Sequence, residues 1–179
     1  MHEVMEAHEA GENHEDNPFL LPVAVTLSVL AVLVAIATLL GHRAATEVLV
    51  LQDKATDQWS LFQAKNIRAH EMASVADMLD TFTPVDKEKA DTLRQKYQTE
   101  AQRYDKEKDE ASEEAKKLEA ERDLVEHRED RFDAGEVILE IALIVCALTL
   151  LTKRRIFWFA GIALGLLGLL VTATGFLLK

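Results

Sequence analysis

A run of 22 residues without a charge, Phe19 to Leu40, constrains the fold of this chain more than any other feature. Crossing a hydrocarbon core about 30 Å thick takes roughly 20 apolar residues in a helix. Pro22 falls in the first turn of that helix, where its missing N–H costs little. The preceding tail is acidic, and the run is too long for the apolar region of a typical signal peptide. We therefore predict a retained transmembrane helix at residues 19–41.

A second uncharged run of 23 residues extends from Ile156 to Leu178. Three aromatic residues stand at its start, as expected where a helix enters the membrane interface. They are Phe157, Trp158 and Phe159. This run predicts a transmembrane helix at residues 156–178.

A third apolar run lies at residues 134–152 and contains Glu136 and Glu140. A buried helix of a soluble domain is the alternative interpretation. Only the three basic residues 153–155 separate this run from the next one, which leaves room for nothing but a tight turn. We therefore predict two spans joined by a short basic loop, a membrane helical hairpin.

Charge is concentrated in residues 42–133, which carry 16 Lys or Arg, 23 Asp or Glu, no glycine and one proline. Ala, Glu, Lys, Gln and Leu dominate this segment and favour helix. Thr83 and Pro84 resemble the cap and first residue of a new helix. We predict two helices that fold back at a turn near residues 82–85. The second helix has a seam of residues spaced by threes and fours that includes Leu93.

Together these segments predict an all-α fold. Three transmembrane helices carry a long antiparallel helical-hairpin, coiled-coil-like stalk (residues 42–133) inserted between the first and the second. A lone hairpin this polar is marginally stable, and self-association is the simplest way to bury more apolar surface. We therefore expect a homo-oligomer.

The N-terminal tail, residues 1–18, carries six acidic residues and no Lys or Arg, which predicts disorder. Histidine–glutamate pairs recur in it, but nothing fixes their geometry, so we predict no metal site and no cofactor. The net charge of −11 leaves no basic stripe for nucleic acid. The single cysteine, Cys146, excludes an internal disulfide and a CxxC site.

Small residues at steps of three and four form a stripe along each span. Such residues let helix backbones approach closely where no hydrophobic force acts between helices. Two interpretations stay open: packing of spans within one subunit, and contact between subunits. The candidate packing residues are Gly161, Gly165, Gly168, Ala24, Ser28, Ala31 and Ala35.

Glu140 is the most informative ionisable residue, because it lies about one turn inside a predicted span. Ionisable residues within a membrane are candidates for proton relay or cation binding. The structural alternative is that its side chain reaches the interface or meets a polar group in an oligomer. Glu136, one turn earlier, is interpreted as interfacial.

A cluster of aromatic, amide and acidic residues marks the first stalk helix. One interpretation is an aromatic packing layer whose amides bond across helices, and the other is a docking patch for a partner. The residues are Asp57, Gln58, Trp59, Phe62 and Gln63.

The stretch from Ala44 to Glu71, AATEVLVLQDKATDQWSLFQAKNIRAHE, carries a family resemblance. Together with the later Leu-Leu-Thr-Lys-Arg-Arg, Phe-Trp and glycine-rich span, it resembles the bacterial membrane proteins grouped as domain of unknown function 4337. The resemblance implies a bacterial inner-membrane protein with this architecture, and it implies no activity. Its core residues are Gln52, Ala55, Asp57, Gln58, Trp59, Phe62, Gln63, Ala64 and Lys65.

The basic loop 153–155 indicates orientation, because compact loops rich in Lys and Arg face the cytoplasm. Three spans then place the N-terminus in the cytoplasm and the stalk outside it. Basic residues near the membrane ends of the stalk, such as Arg43 and Arg131, oppose this orientation. They weigh less because the rule applies best to short loops.

No catalytic grouping, phosphate-binding glycine loop or HExxH motif is present in the sequence. We therefore expect a non-enzymatic membrane scaffold or accessory protein, with the lipid bilayer, copies of itself and a second membrane protein complex as candidate partners. The alternative is a small oligomeric channel or transporter component in which Glu140 lines a path.

Overall fold

All regular structure is helical in the part of the chain that the computed structural model describes, residues 19–81 and 86–178. Helix α1 is Leu20–Thr81, α2 is Lys87–Thr152 and α3 is Arg155–Thr174. Each contains an apolar stretch long enough to cross a membrane. The predicted all-α class with three helices of membrane-spanning length is therefore confirmed. The acidic tail and the turn near 82–85 lie outside the described residues.

Helices α1 and α2 each join an apolar segment to a charged one without a break. Gly41 and Gly135 stand near these transitions, where glycine costs roughly 0.5–1 kcal/mol relative to alanine. Both are buried at close approaches. A methyl group on Gly41 would lie 2.7 Å from Oδ1 of Asp133, and one on Gly135 would lie 2.9 Å from the backbone nitrogen of Thr172. Close packing against the backbone of α3 therefore explains the glycine at position 135, whereas the Asp133 side chain could move aside for a larger residue at position 41.

The chain divides into two compact units. The apolar unit comprises residues 19–42 and 128–178 of the described chain, and the charged unit is residues 43–127. In the apolar unit all three helices contact one another. Its core consists of side chains from α1 and α2, with Leu164 and Trp158 of α3 packed against them. The buried core residues are Val23, Leu30, Ala37, Leu139, Ala142 and Cys146.

In the charged unit α1 and α2 run antiparallel. Gln52 pairs with Arg122, and further along α1 Asp80 pairs with Arg94. The buried residues between these helices are nearly all alanines, whose small side chains let the backbones come close. Leu93, expected on the seam of the second helix, is instead 42% exposed. The next residue, Arg94, is half-buried between the helices instead, and its guanidinium lies 2.5 Å from the Asp80 carboxylate.

Phe132 is buried in the apolar unit. Its side chain is only 2% exposed and stacks edge-on against Phe176 with ring centroids 5.3 Å apart. On α2 the apolar unit begins at Arg128. Helix α3 ends at Thr174, four residues before the end of the apolar run, and tight turns follow over residues 175–177.

Candidate functional site

The glycines of α3 are buried inside the apolar unit. Gly161 lies against α2, where an added methyl group would stand 2.8 Å from Cβ of Cys146 and 3.1 Å from the carbonyl oxygen of Ala142. Gly168 faces Leu139 in the same way, and Gly165 faces Leu30 of α1. Of the two interpretations of small-residue stripes, packing within the subunit therefore applies to α3.

The small residues of α1 have the opposite placement. Ala24, Ser28, Ala31 and Ala35 are all exposed on the outside of the apolar unit. The buried, inward face of α1 instead carries larger residues such as Val23 and Leu30. Beside the exposed small residues lies an apolar groove of about 450 Å³. Its lining residues are Ala24, Val25, Ser28, Val29, Val32 and Leu33.

Glu140 also lies on the outside of the apolar unit. Its side chain is exposed and makes no hydrogen bond or ion pair with the described part of the chain. Glu136, one turn earlier, is half-buried and accepts a 2.6 Å hydrogen bond from the Thr38 hydroxyl. The two carboxylates therefore differ: Glu136 is hydrogen-bonded within the subunit, and Glu140 is on the outer surface of the apolar unit.

The end of the apolar unit at residues 153–155 carries an aromatic and cationic cluster. Trp158 stacks edge-on with Phe19 at 5.6 Å, and its indole N–H donates a 3.0 Å hydrogen bond to Thr26. The guanidinium of Arg155 lies 5.0 Å from the centre of the Phe19 ring. Such amphipathic aromatic side chains suit a membrane interface, where one end meets lipid and the other meets polar groups.

In the charged unit, the structure brings only two of the five predicted cluster residues together. Trp59 and Phe62 stack edge-on at 5.5 Å, and the Trp59 indole N–H donates a 2.8 Å hydrogen bond to Glu119. Asp57 and Gln63 are exposed, and Gln58 is half-buried. The predicted amide bond across helices comes from a different residue, because Gln52 accepts a hydrogen bond from Arg122.

Sequence reasoning missed a group of cations around Tyr104. The charged groups of Lys65, Arg68 and Arg103 lie between 4.8 and 5.8 Å from the centre of its ring. Lys65 also donates a hydrogen bond to Glu107, which together with nearby positive charge holds the pKa of Glu107 below its usual range. The seven-residue spacing between Gln58 and Lys65 is the sequence signal for this group, because it places both residues on one face of α1. The structure shows that both are half-buried.

Metal-ligating residues do not converge in the described segments: no three His, Cys, Asp or Glu side chains gather around one point there. The histidine–glutamate pairs of the tail lie outside those segments. The candidate surfaces of the described chain are therefore the outward face of α1, Glu140, the loop at residues 153–155 and the Trp59 contact.

Comparison with known proteins gives a family and no further relatives. The model of a family described as a domain of unknown function, DUF4337, matches residues 19–178. No curated protein and no solved structure matches the chain.

Proposed function

The chain belongs to the DUF4337 family, and from this premise we propose that it is a non-enzymatic integral membrane scaffold or accessory protein that self-associates through its spans. Its role is spatial: it holds copies of itself, or a second membrane protein complex, at a defined place in the bilayer. We further propose the inner membrane of a bacterial cell as its location.

The observation that carries the proposal is the exposure of the small-residue face of α1. The glycine face of α3 already packs within the subunit, so α1 retains an outward stripe with no partner in the described chain. Small residues favour close contact between membrane helices because dispersion and weak hydrogen bonds act over short distances. The adjacent groove is open and lined almost entirely by apolar side chains, which suits contact with the apolar side chains of a facing helix.

We place the charged unit outside the bilayer, inserted between the first and second spans. One support is the density of charge in this unit, because charged side chains are unstable in hydrocarbon. The other is the antiparallel pairing of α1 and α2, which brings the chain back toward the level at which it left the first span. By the distribution of positive charge in short loops, the N-terminus and residues 153–155 face the cytoplasm. In a Cys146→Ser background, a membrane-impermeant maleimide added to intact cells should label Ser60→Cys and leave Thr152→Cys unlabelled; the reverse would refute this orientation.

Self-association is tested by filling the outward stripe. Ala31→Leu combined with Ala35→Leu should lower the mass of the gently solubilised particle to that of one 20.0 kDa chain plus detergent. Ala163→Leu is the control, because Ala163 is also an exposed alanine but lies on α3 and not on the outward stripe of α1. It should leave the mass of the particle unchanged. A single-chain particle for the unsubstituted protein, or equal effects of the two variants, would contradict the proposal. A stoichiometric second protein in the particle would identify the accessory role.

A second candidate function, a small oligomeric channel or transporter component, is favoured by one observation. Glu140 is an exposed carboxylate within an apolar segment and has no partner in the described chain. Such a group is stable in a membrane only beside water or a polar partner. If Glu140 lines a path, Glu140→Gln should abolish cation flux into proteoliposomes and leave the particle mass unchanged. Loss of assembly in the same variant would instead assign Glu140 to contact between subunits.

A further inference from the structure

Lys153, Arg154 and Arg155 form the most concentrated cationic surface of the apolar unit. All three side chains are exposed, and none makes an ion pair with a described residue. In the charged unit, by contrast, many cations are neutralised by nearby carboxylates, as Lys108 is by Asp105 at 2.6 Å. The three cations of the loop therefore present unneutralised charge at the end of an apolar helix bundle.

The backbone of Lys153 gives a second, independent observation. Its φ of 53° lies in the left-handed region, directly after the last residue of α2. Glycine adopts this conformation at a helix end without steric cost, whereas a lysine does not. A cation therefore occupies a position where glycine would be less strained. Because Lys153 directly follows α2, its charge lies where the negative end of that helix favours a cation.

Aromatic side chains lie beside the loop. The guanidinium of Arg155 is held over Phe19, and Phe19 in turn stacks on Trp158, so the cation sits directly above apolar aromatic rings. Helix α3 begins at Arg155, and its N-cap residue Arg154 makes no side-chain cap hydrogen bond. The positive end of α3 and the negative end of α2 meet at this loop and offset each other, so the positive field there comes from the three side chains.

We propose that Lys153, Arg154 and Arg155 form a binding site for the phosphate of an anionic phospholipid headgroup. The acyl chains would lie along the apolar surface below the loop, with the aromatic rings at the level of the glycerol. The inference rests on insertion of the three apolar helices in a bilayer, which belongs to the proposed function. It is independent of self-association.

The test uses the full chain in detergent containing equal amounts of phosphatidylglycerol and phosphatidylcholine with the same acyl chains. Native mass spectrometry counts the lipids that remain bound. The unsubstituted protein should retain phosphatidylglycerol in preference. K153G should lower that preference about fivefold, because each cation near a membrane surface contributes on that order. The combined variant K153Q, R154Q and R155Q should abolish it.

Two controls separate the headgroup site from simpler explanations. R131Q removes an exposed cation of the same unit away from the loop and should leave the preference intact. K153G relieves the left-handed strain, so its melting temperature should stay the same or rise while lipid preference falls. Excess inorganic phosphate should not displace phosphatidylglycerol.

Three results would overturn the proposal: equal retention of the two lipids, an equal loss in R131Q, or displacement by phosphate alone, which would make the ligand a free anion. The same spectra report particle mass. A loss of oligomers with lipid preference intact would therefore count against self-association only.

Discussion

The hydroxyl of Thr38 donates a 2.6 Å hydrogen bond to Oε1 of Glu136 and thereby links α1 to α2 inside the apolar unit. The same hydroxyl lies 3.0 Å from the carbonyl oxygen of Val34. Two half-buried residues 98 positions apart in sequence are thus joined by a side-chain hydrogen bond. A carboxylate in such surroundings requires a donor, because its desolvation is otherwise uncompensated.

Thr38→Val should destabilise the chain by about 1.5–3 kcal/mol, the usual worth of a hydrogen bond to a charged group. Thr38→Ser keeps the hydroxyl and should lose much less. Helical circular dichroism of the full chain during unfolding in detergent measures both. Thr99→Val is the control, because the hydroxyl of Thr99 is exposed and donates to Gln95 of its own helix. Equal losses for Thr38→Val and Thr38→Ser would show that the contact with Glu136 contributes nothing.

Gly161 and Gly165 of α3, which are four residues apart in a GxxxG motif, should differ in their tolerance of alanine. In Gly161→Ala the new methyl group meets Cβ of Cys146 and the backbone carbonyl of Ala142, which cannot move without shifting α2. The expected cost is about 1–3 kcal/mol, as for other overpacked cores. In Gly165→Ala the methyl group meets only Cδ2 of Leu30 within close range, and a flexible side chain can turn away.

Thermal unfolding of both glycine variants in the same detergent decides between these outcomes. Gly165→Ala should lie close to the unsubstituted protein, with Gly161→Ala melting several degrees lower. A larger loss for Gly165→Ala would mean that α3 packs more tightly on α1 than on α2, contrary to the geometry.

The pair of Lys65 and Glu107 should make the stability of the chain depend on pH. The hydrogen bond from Lys65 lowers the pKa of Glu107 in the folded chain. The folded state then binds the proton less readily than the unfolded state, so the pair stabilises the fold above the pH at which an ordinary glutamate titrates, roughly 4.3. That contribution disappears as the pH falls through the lowered pKa.

Glu107→Gln should therefore melt below the unsubstituted protein at pH 7 and converge with it at strongly acidic pH. Because the glutamate is partly exposed, added salt should reduce the difference. Glu113→Gln serves as the control, since Glu113 pairs only with Lys116 on the exposed face of its own helix. A gap between Glu107→Gln and the unsubstituted protein that is independent of pH would contradict the assignment.

Removing the hydroxyl of Thr149 should increase the stability of the folded chain. Its side chain is fully buried in the apolar unit, and its Oγ1 has no hydrogen-bond partner among the described residues. Valine has nearly the same shape and removes the unsatisfied group, so Thr149→Val should stabilise the chain by about 1 kcal/mol. Thr149→Ser keeps the hydroxyl and loses a methyl group, and it should destabilise. A lower unfolding temperature for the valine variant would indicate that the hydroxyl is satisfied after all.

The four residues Ala24, Ser28, Gly161 and Gly165 show where prediction from sequence stopped. All stand on small-residue stripes with the same spacing, and the spacing alone assigns them equivalent roles. In the structure, the two glycines are buried against other helices and the α1 pair is exposed. Likewise, Trp59 stood out as a candidate for packing or for docking, but its hydrogen-bond partner Glu119, 60 residues away, could not be identified from the sequence.

The helical class and the three apolar segments can be read from the amino-acid sequence, because hydropathy over about 20 residues and helix propensity are local properties. The family follows from a resemblance in particular residues, such as those around Trp59, and not from these local properties. Only the tertiary structure decided which face of each span is buried, that Glu136 is bonded while Glu140 is not, and that Lys153 adopts a left-handed backbone. Those outcomes depend on which distant side chains meet, and a repeat of three and four residues specifies a face without specifying its neighbour.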